Sequence, residues 1–353
     1  MHLPRTRETT KVRTISARKE EHVEICLNHD VSFREISAGF DSIQLMHCAL
    51  PELNFHDVNT KVEFLSKTLY FPLMITGMTG GFEGAENANR KLAQVCQEKR
   101  IALGLGSQRQ ALENSDHHRS FSVVREGKLD IPVVGNIGAA QVRRGSHLDH
   151  VRKMVAMIEA DALAIHLNPL QEVLQPEGDT DFTGVLQGIE ILAKKLEVPI
   201  IVKETGAGIS REVAEKLVAA GVQYIDVSGA GGTSWAAVEY YRGANQNQAQ
   251  RFWDWGIPTV LCLREVCRVK DARVIASGGI RSGIDMAKAM ALGAELTGAA
   301  LPMLAALYAR EEDSLTRLID DWHLEFKTAM FLTGCKKVTD LNNVRVFSKK
   351  ELR

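Results

Sequence analysis

The chain has little net charge and no long basic run: 43 Lys and Arg stand against 44 Asp and Glu, a formal charge of -1. There is thus no electrostatic case for nucleic acid or an anionic membrane surface as a partner. No apolar run reaches the length of a bilayer span, and the N-terminal "MHLPRTRETTKVRTISARKEEH" has no apolar signal core, so no membrane partner is expected. Its first ten or so residues read as a mobile tail. Six cysteines (Cys26, Cys48, Cys96, Cys262, Cys267, Cys335) form no CxxC pair and no zinc-ligand spacing. That is the usage of free thiols in a reducing compartment, and the cytoplasm is the expected location. Low-complexity tracts are absent too.

What is present is an ordinary globular composition, 45% apolar and 25% charged over 353 residues, enough for a sizeable core. Eight short apolar runs recur: "FPLMITGMTGG", "IALGLGSQR", "IPVVGNIGAA", "ALAIHLN", "VPIIVKETG", "VQYIDVSGAGG", "ARVIASGGIRSG" and "AELTGAALP". Amphipathic stretches such as "ENANRKLAQVCQEK", "LDHVRKMVAMIEA", "GVLQGIEILAKKLE" and "SREVAEKLVAAG" lie between them, with apolar residues at helical spacing. Continuous apolar runs suit strands covered on both faces, and eight strand–helix units predict an α/β fold, a (β/α)8 TIM barrel. The barrel is expected over residues 72–302. Residues 1–71 form a leader packed on or across its mouth, and residues 303–353 a helical extension ending near Gly334. The Asn- and Gln-rich stretch around 239–256 reads as a long loop, a partly mobile lid.

In such a barrel the chemistry sits where the strands end. The segment "IHLNPLQEVLQPEGD" sets His166, Asn168, Gln171 and Glu172 directly behind an apolar run. The other strand ends read Thr76 to Thr79, Ser107 with Arg109, Asn136, Lys203, Ser228 and Gly278 to Arg281. A polar turn explains any one of these, but explains the whole set poorly. "SGGIRSGIDMAKAM" places glycines before a helix whose expected N-cap is Ser282, so exposed N–H groups and the helix dipole make a phosphate site there. "GAGGTSW" offers a second nest of N–H groups with Thr233. Lys203 ends "PIIVK", where a lysine can form a Schiff base, hold a phosphate, stabilise an electron-rich ring or simply snorkel to the surface. Upstream, "ARKEEH" groups Arg18, Lys19 and His22, which by charge pattern alone is a solvated helix face.

Taken in order, "RKEEH", "TGMTGG", "GSQR", "VGNIG", "HLNPLQE", "VKETG", "GAGGTSW" and "SGGIRSG" resemble the type 2 isopentenyl diphosphate isomerases, the FMN-dependent class. The resemblance runs from about Arg18 to Pro302. It implies an FMN-binding barrel that interconverts isopentenyl and dimethylallyl diphosphate. By the same resemblance, Thr76, Gly77, Met78, Thr79, Ser107 and Asn136 lie against the flavin, with Lys203 at its pyrimidine edge. Ser228, Thr233, Gly279, Ile280, Arg281, Ala299 and Ala300 take the phosphate end. The small-molecule diphosphate substrate falls to Arg18, Lys19, His22, Ser107 and Arg109. His166, Asn168 and Gln171 border the substrate, and Glu172 holds Mg²⁺ bridged to the diphosphate. His166, Gln171, Glu172 and Lys203 are the implied catalytic group, NADPH or NADH the implied reductant of FMN, and a homotetramer or homo-octamer the implied assembly.

Two related chemistries fit less well. A 2-hydroxy acid oxidase needs a histidine base and an arginine after the sixth strand, and "VSGAGGTSW" has neither. An inosine monophosphate dehydrogenase needs a nucleophilic cysteine in a barrel loop, and the six cysteines do not follow strand ends. A noncatalytic flavin or phosphate binder would have no use for His166, Gln171, Glu172 and Lys203 together.

Overall fold

Among the described residues, three short strands precede the barrel: β1 (Ile43–Leu45), β2 (Val62–Phe64) and β3 (Lys67–Leu69). Eight form it: β4 (Leu73–Ile75), β5 (Ala102–Gly104), β6 (Val133–Gly138), β7 (Ala162–His166), β8 (Ile200–Lys203), β9 (Tyr224–Asp226), β10 (Arg273–Ala276) and β11 (Leu296–Ala299). A last strand, β12 (Val346–Ser348), follows. This is a computed structural model, and it describes residues 15–352 apart from Asn114, Lys128, Ser146, His147 and Ala244. The expected N-terminal tail lies outside the described residues.

The eight strands are parallel neighbours in sequence order, and β11 pairs with β4 through Thr297↔Leu73 to close the circle. Each of the eight apolar runs supplies one strand. Alternation along a strand then sorts the core into two layers. Leu73 and Ile75 face outward toward helices, while Met74 joins Ala102, Val134, Ala162, Ile201 and Leu296 inside the barrel. The surrounding helices bury one stripe each, as Ala85–Lys99 does with Ala88, Leu92, Ala93 and Cys96.

Only part of the leader goes to the mouth. The helix Ile15–Asn28 does, but β2 and β3 form an antiparallel hairpin that plugs the opposite end. Phe64 and Leu69 enter the inner core, Phe64 meeting Tyr224 edge-on at 5.4 Å between centroids. Lys67 Nζ fixes the hairpin there, 2.6 Å from Asp161 and 3.0 Å from the Ile131 carbonyl. The hairpin turn is Leu65–Ser66, with φ of 50° and 61° in place of the usual Asn-Gly, so its sequence gives no turn signal.

The stretch expected to be a long lid loop is instead helical, over Trp235–Tyr241 and Gln246–Arg251. Ser234 caps the first helix and donates to the Trp253 carbonyl at 2.7 Å. Ala236, Ala237 and Val238 are buried, which the polar composition of the stretch conceals. The C-terminal helices form at Leu301–Leu307 and Ser314–Leu332, with Gly334 in the left-handed region beyond. The chain then returns to pair β12 with β1, tying the extension to the leader. Among the described residues no helix is long and apolar enough to cross a membrane.

Candidate active site

At the C-terminal ends of the strands lies an open cavity of about 240 Å³. Apart from Thr79, every site residue named from the sequence lines it. Thr79 is buried behind the wall, where its hydroxyl donates to Asn89 Oδ1 at 2.5 Å and its carbonyl accepts from Gly106 N. It shapes the turn and presents nothing to the cavity.

β7 delivers the central group. Among the described residues it is the sole strand besides β6 with more than four residues, and its last residue, His166, reaches the cavity rim. Asn136 on β6 turns its Nδ2 to the Leu105 carbonyl at 3.0 Å, which leaves Oδ1 facing His166 Nδ1 at 2.9 Å. Nδ1 therefore carries the proton, and Nε2 is an acceptor. Burial, with Lys203, Lys19 and Arg109 adding repulsion, lowers the His166 pKa to about 3. The ring is neutral at physiological pH.

Pro169 at the first helical position starts the short helix Pro169–Leu174 just behind this strand, and Asn168 occupies its N-cap. Asn168 Nδ2 donates to Gln171 Oε1 at 3.0 Å and to Glu172 Oε1 at 2.9 Å. Gln175 Nε2 and Asp179 N donate to Glu172 Oε2 at 2.9 and 2.6 Å. The buried carboxylate is thus locked in place, while Asn168 Oδ1 and Gln175 Oε1 have no hydrogen-bond partner among the described residues. Among the described residues no group of three or more His, Cys, Asp or Glu is placed to hold a metal ion by itself. One carboxylate beside free amide oxygens fits Mg²⁺, which completes its octahedron with waters and phosphate oxygens.

The cations come from the other side. Arg18, Lys19 and His22 lie on one face of the helix Ile15–Asn28, turned into the cavity opposite Arg109; the helix face is not solvated as charge pattern alone suggests. Lys19 Nζ donates to the carbonyls of Gly80 and Ser107 at 2.7 and 2.5 Å. Burial, and then Arg109, lowers the pKa of Arg18. Two guanidiniums that repel each other in one cavity are an anion site. His22 meets Glu239 Oε1 at 3.0 Å and Trp235 edge-on at 5.1 Å, and burial still lowers its pKa.

Glycine turns close the remaining wall. Gly278 and Gly279 have φ of 94° and 74°, and a Cβ on Gly278 would stand 2.1 Å from the Gly229 carbonyl oxygen. The backbone can expose its N–H groups there only without side chains. Ser282 caps the helix Gly283–Ala291, its hydroxyl accepting from Asp285 N at 3.1 Å, as expected. Thr233, Ile280, Arg281, Ala299 and Ala300 share this wall, and Thr76, Gly77, Met78, Ser107, Lys203 and Ser228 line the cavity with them. A cradle of glycine N–H groups at one end and Lys203 toward the centre fits an elongated phosphorylated cofactor.

Sequence reasoning passed over Gln175, Trp235, Glu239, Arg242 and Asp226. Glu239 is fully buried and holds Arg242 Nη1 at 2.7 Å as well as His22, and Arg242 also binds Glu21 and Glu177. The i, i+3 spacing of Glu239 and Arg242 was the available signal. For Asp226 it was a lone acid inside the apolar run "VQYIDV".

Residues 128–347 match the family model described as FMN-dependent dehydrogenase. The chain is 47% identical over 341 residues to an isopentenyl-diphosphate delta-isomerase of Methanosarcina barkeri, covering 95% of this chain and 92% of that one. It is 45% identical over 337 residues to the protein so named from Pyrococcus abyssi, covering 93% and 90%. With that of Chlorobium phaeobacteroides it shares 44% over 348 residues, covering 94% and 95%. Among solved structures, mandelate oxidase with (S)-2-phenylpropionate superposes with a TM-score of 0.66 at 18% identity, over 93% of this chain and 94% of that one. That likeness speaks for the fold.

Proposed function

Because the chain belongs to the isopentenyl-diphosphate delta-isomerase family, its type 2 branch with an FMN-dependent dehydrogenase domain, we propose that it interconverts isopentenyl and dimethylallyl diphosphate on reduced FMN. The supporting observation is that one cavity joins the Arg18–Lys19–Arg109 cations, the neutral His166 with Gln171 and Glu172, and the glycine turns near Gly278.

Shifting the double bond adds a proton at one terminal carbon and removes another two carbons away. An alkene is a very poor base, so the site must exclude water and hold the substrate in register. The leader helix contributes Arg18, Lys19 and His22, and the barrel Ser107 and Arg109, to grip the diphosphate. Glu172, with Asn168 and Gln175 oxygens beside it, holds Mg²⁺ against the same phosphates. Gln171 and Asn168 border the alkene. Gln171 cannot ionise usefully and orients the substrate or a relay water, and His166 Nε2 accepts a hydrogen bond at the same point. Thr76, Gly77, Met78, Ser107 and Asn136 hold the flavin ring, Lys203 its pyrimidine edge, and Ser228, Thr233 and residues 279–281 and 299–300 its phosphate. Reduced FMN, when bound, supplies an electron-rich edge that can exchange a proton without net electron transfer.

NADPH or NADH serves only to bring the flavin to its reduced state. The test is an anaerobic assay of isopentenyl diphosphate with photoreduced, FMN-loaded protein and Mg²⁺. Turnover without nicotinamide is expected. A protein that takes up no FMN, or that consumes one nicotinamide per product, would refute the proposal.

A further inference from the structure

Beneath the main cavity, toward the barrel interior, lies a small space of about 10 Å³ lined by Asp226, Lys203, Thr76 and Asn136 among others. That is roughly the volume one water needs. Asp226 is fully buried in the last position of β9. Its Oδ1 accepts from Ser277 Oγ at 2.5 Å and from Ser228 N at 3.3 Å, but its Oδ2 has no hydrogen-bond partner among the described residues. An isolated buried carboxylate oxygen is costly, so it needs a use.

Its neighbour supplies one. Lys203 and Asp226 are register partners on β8 and β9. Lys203 Nζ donates to the Glu204 carbonyl at 2.7 Å. The other nearby carboxylate, Glu204, is occupied: its Oε2 accepts the N–H groups of Thr205, Gly206 and Ala207. Asp226 is therefore the nearby carboxylate with an oxygen still open to the Lys203 ammonium.

We propose that Asp226 is a positioning residue for the flavin: joined to Lys203 across β8 and β9 through one water, it keeps that side chain an ammonium at the pyrimidine edge. This rests on the FMN reading above. Burial lowers the Lys203 pKa, and Asp226 and then Glu204 are the charges that oppose it. Asp226 itself is raised by burial, with Lys203 the first opposing influence.

The role makes a prediction of sign. If Asp226 acted on the flavin only through space, deleting its negative charge would stabilise the anionic reduced flavin, and the midpoint potential would rise. If it acts through Lys203, deleting it lets the lysine lose its proton, and the potential falls. The measurement is the midpoint potential of FMN-loaded protein against pH, above pH 7. There Glu204, pushed up to about 6, is ionised, and His166, lowered to about 3, is neutral. Lys19 and Arg109 are the remaining charges felt at His166.

Asp226→Asn is expected to weaken the reduced form at least tenfold relative to the oxidised, about 30 mV for a two-electron couple, with a pH dependence steeper than that of the parent's flavin couple, because reduction then also takes up a proton at Lys203. Ser277→Ala strips a hydrogen bond from the carboxylate and shifts the potential the same way by less, and serves if Asp226→Asn does not fold. In a Lys203→Met background, Asp226→Asn is expected to add no further fall. A rise, or a parent-like potential in the folded variants, overturns the role. Failure of the parent to bind FMN would instead refute the functional reading.

Discussion

Replacing Glu172 by glutamine separates the metal role from the architecture around it. The carboxylate accepts from Asn168 Nδ2, Gln175 Nε2 and Asp179 N, at 2.9, 2.9 and 2.6 Å. In Glu172→Gln the amide oxygen can keep the two donors at Oε2, and the new NH₂ faces Asn168. Asn168 can answer by turning its unpartnered Oδ1 inward. Its bond to Gln171 is then given up, a net loss of about 1 kcal/mol. Folding and FMN binding should hardly change. The metal loses a charged ligand, worth about 2–3 kcal/mol, so the Mg²⁺ concentration for half-maximal isomerisation should rise roughly 30- to 150-fold. The assay is a Mg²⁺ titration of reduced, FMN-loaded protein beside a thermal melt. An unchanged Mg²⁺ requirement, with the variant folded, removes Glu172 from the metal.

Phe64→Ala empties a site between the hairpin and the inner core and should cost about 3–5 kcal/mol in urea unfolding; a loss below about 1 kcal/mol would deny that the hairpin plugs the barrel. His166 has its pKa depressed from 6.5 to about 3, so below pH 6.5 the unfolded chain binds a proton that the folded one refuses. Stability of the ligand-free protein should fall as pH drops from 6.5 toward 3, by up to about 1.4 kcal/mol per pH unit, and His166→Gln should flatten that slope; equal slopes would contradict a buried neutral ring. Gly278→Ala sets a Cβ against the Gly229 carbonyl at a φ of 94° and should weaken FMN binding at least about tenfold by flavin fluorescence titration. Unchanged affinity would place the phosphate elsewhere.

Much of this architecture is local, which is why it was legible in one dimension. Eight apolar runs separated by amphipathic segments already require a parallel sheet covered by helices, because alternate residues of each strand must be buried on both sides. The polar residues behind those runs marked the mouth for the same reason: strand ends are where backbone geometry releases side chains from the core. Thr79 shows the limit of the rule, since position in a turn does not say which wall of the turn faces the cavity.

What the linear order withheld depends on contacts between distant segments. Leu65 and Ser66 carry no turn signal, and the hairpin holds because Phe64 and Leu69 find the open end of the barrel. The Asn- and Gln-rich stretch is helical because Ala236, Ala237 and Val238 are buried and Trp253 is tied back to Ser32 through its indole N–H. Arg18, Lys19 and His22 look solvated until the helix is folded over the mouth and His22 meets Glu239, 217 positions away in sequence. Local propensity and period choose elements, so the sequence by itself determined the barrel and its mouth. Desolvation and charge are set by whatever else is nearby, so only the tertiary structure decided which cations face the cavity and which carboxylates, Asp226 and Glu239 among them, stand buried beside them.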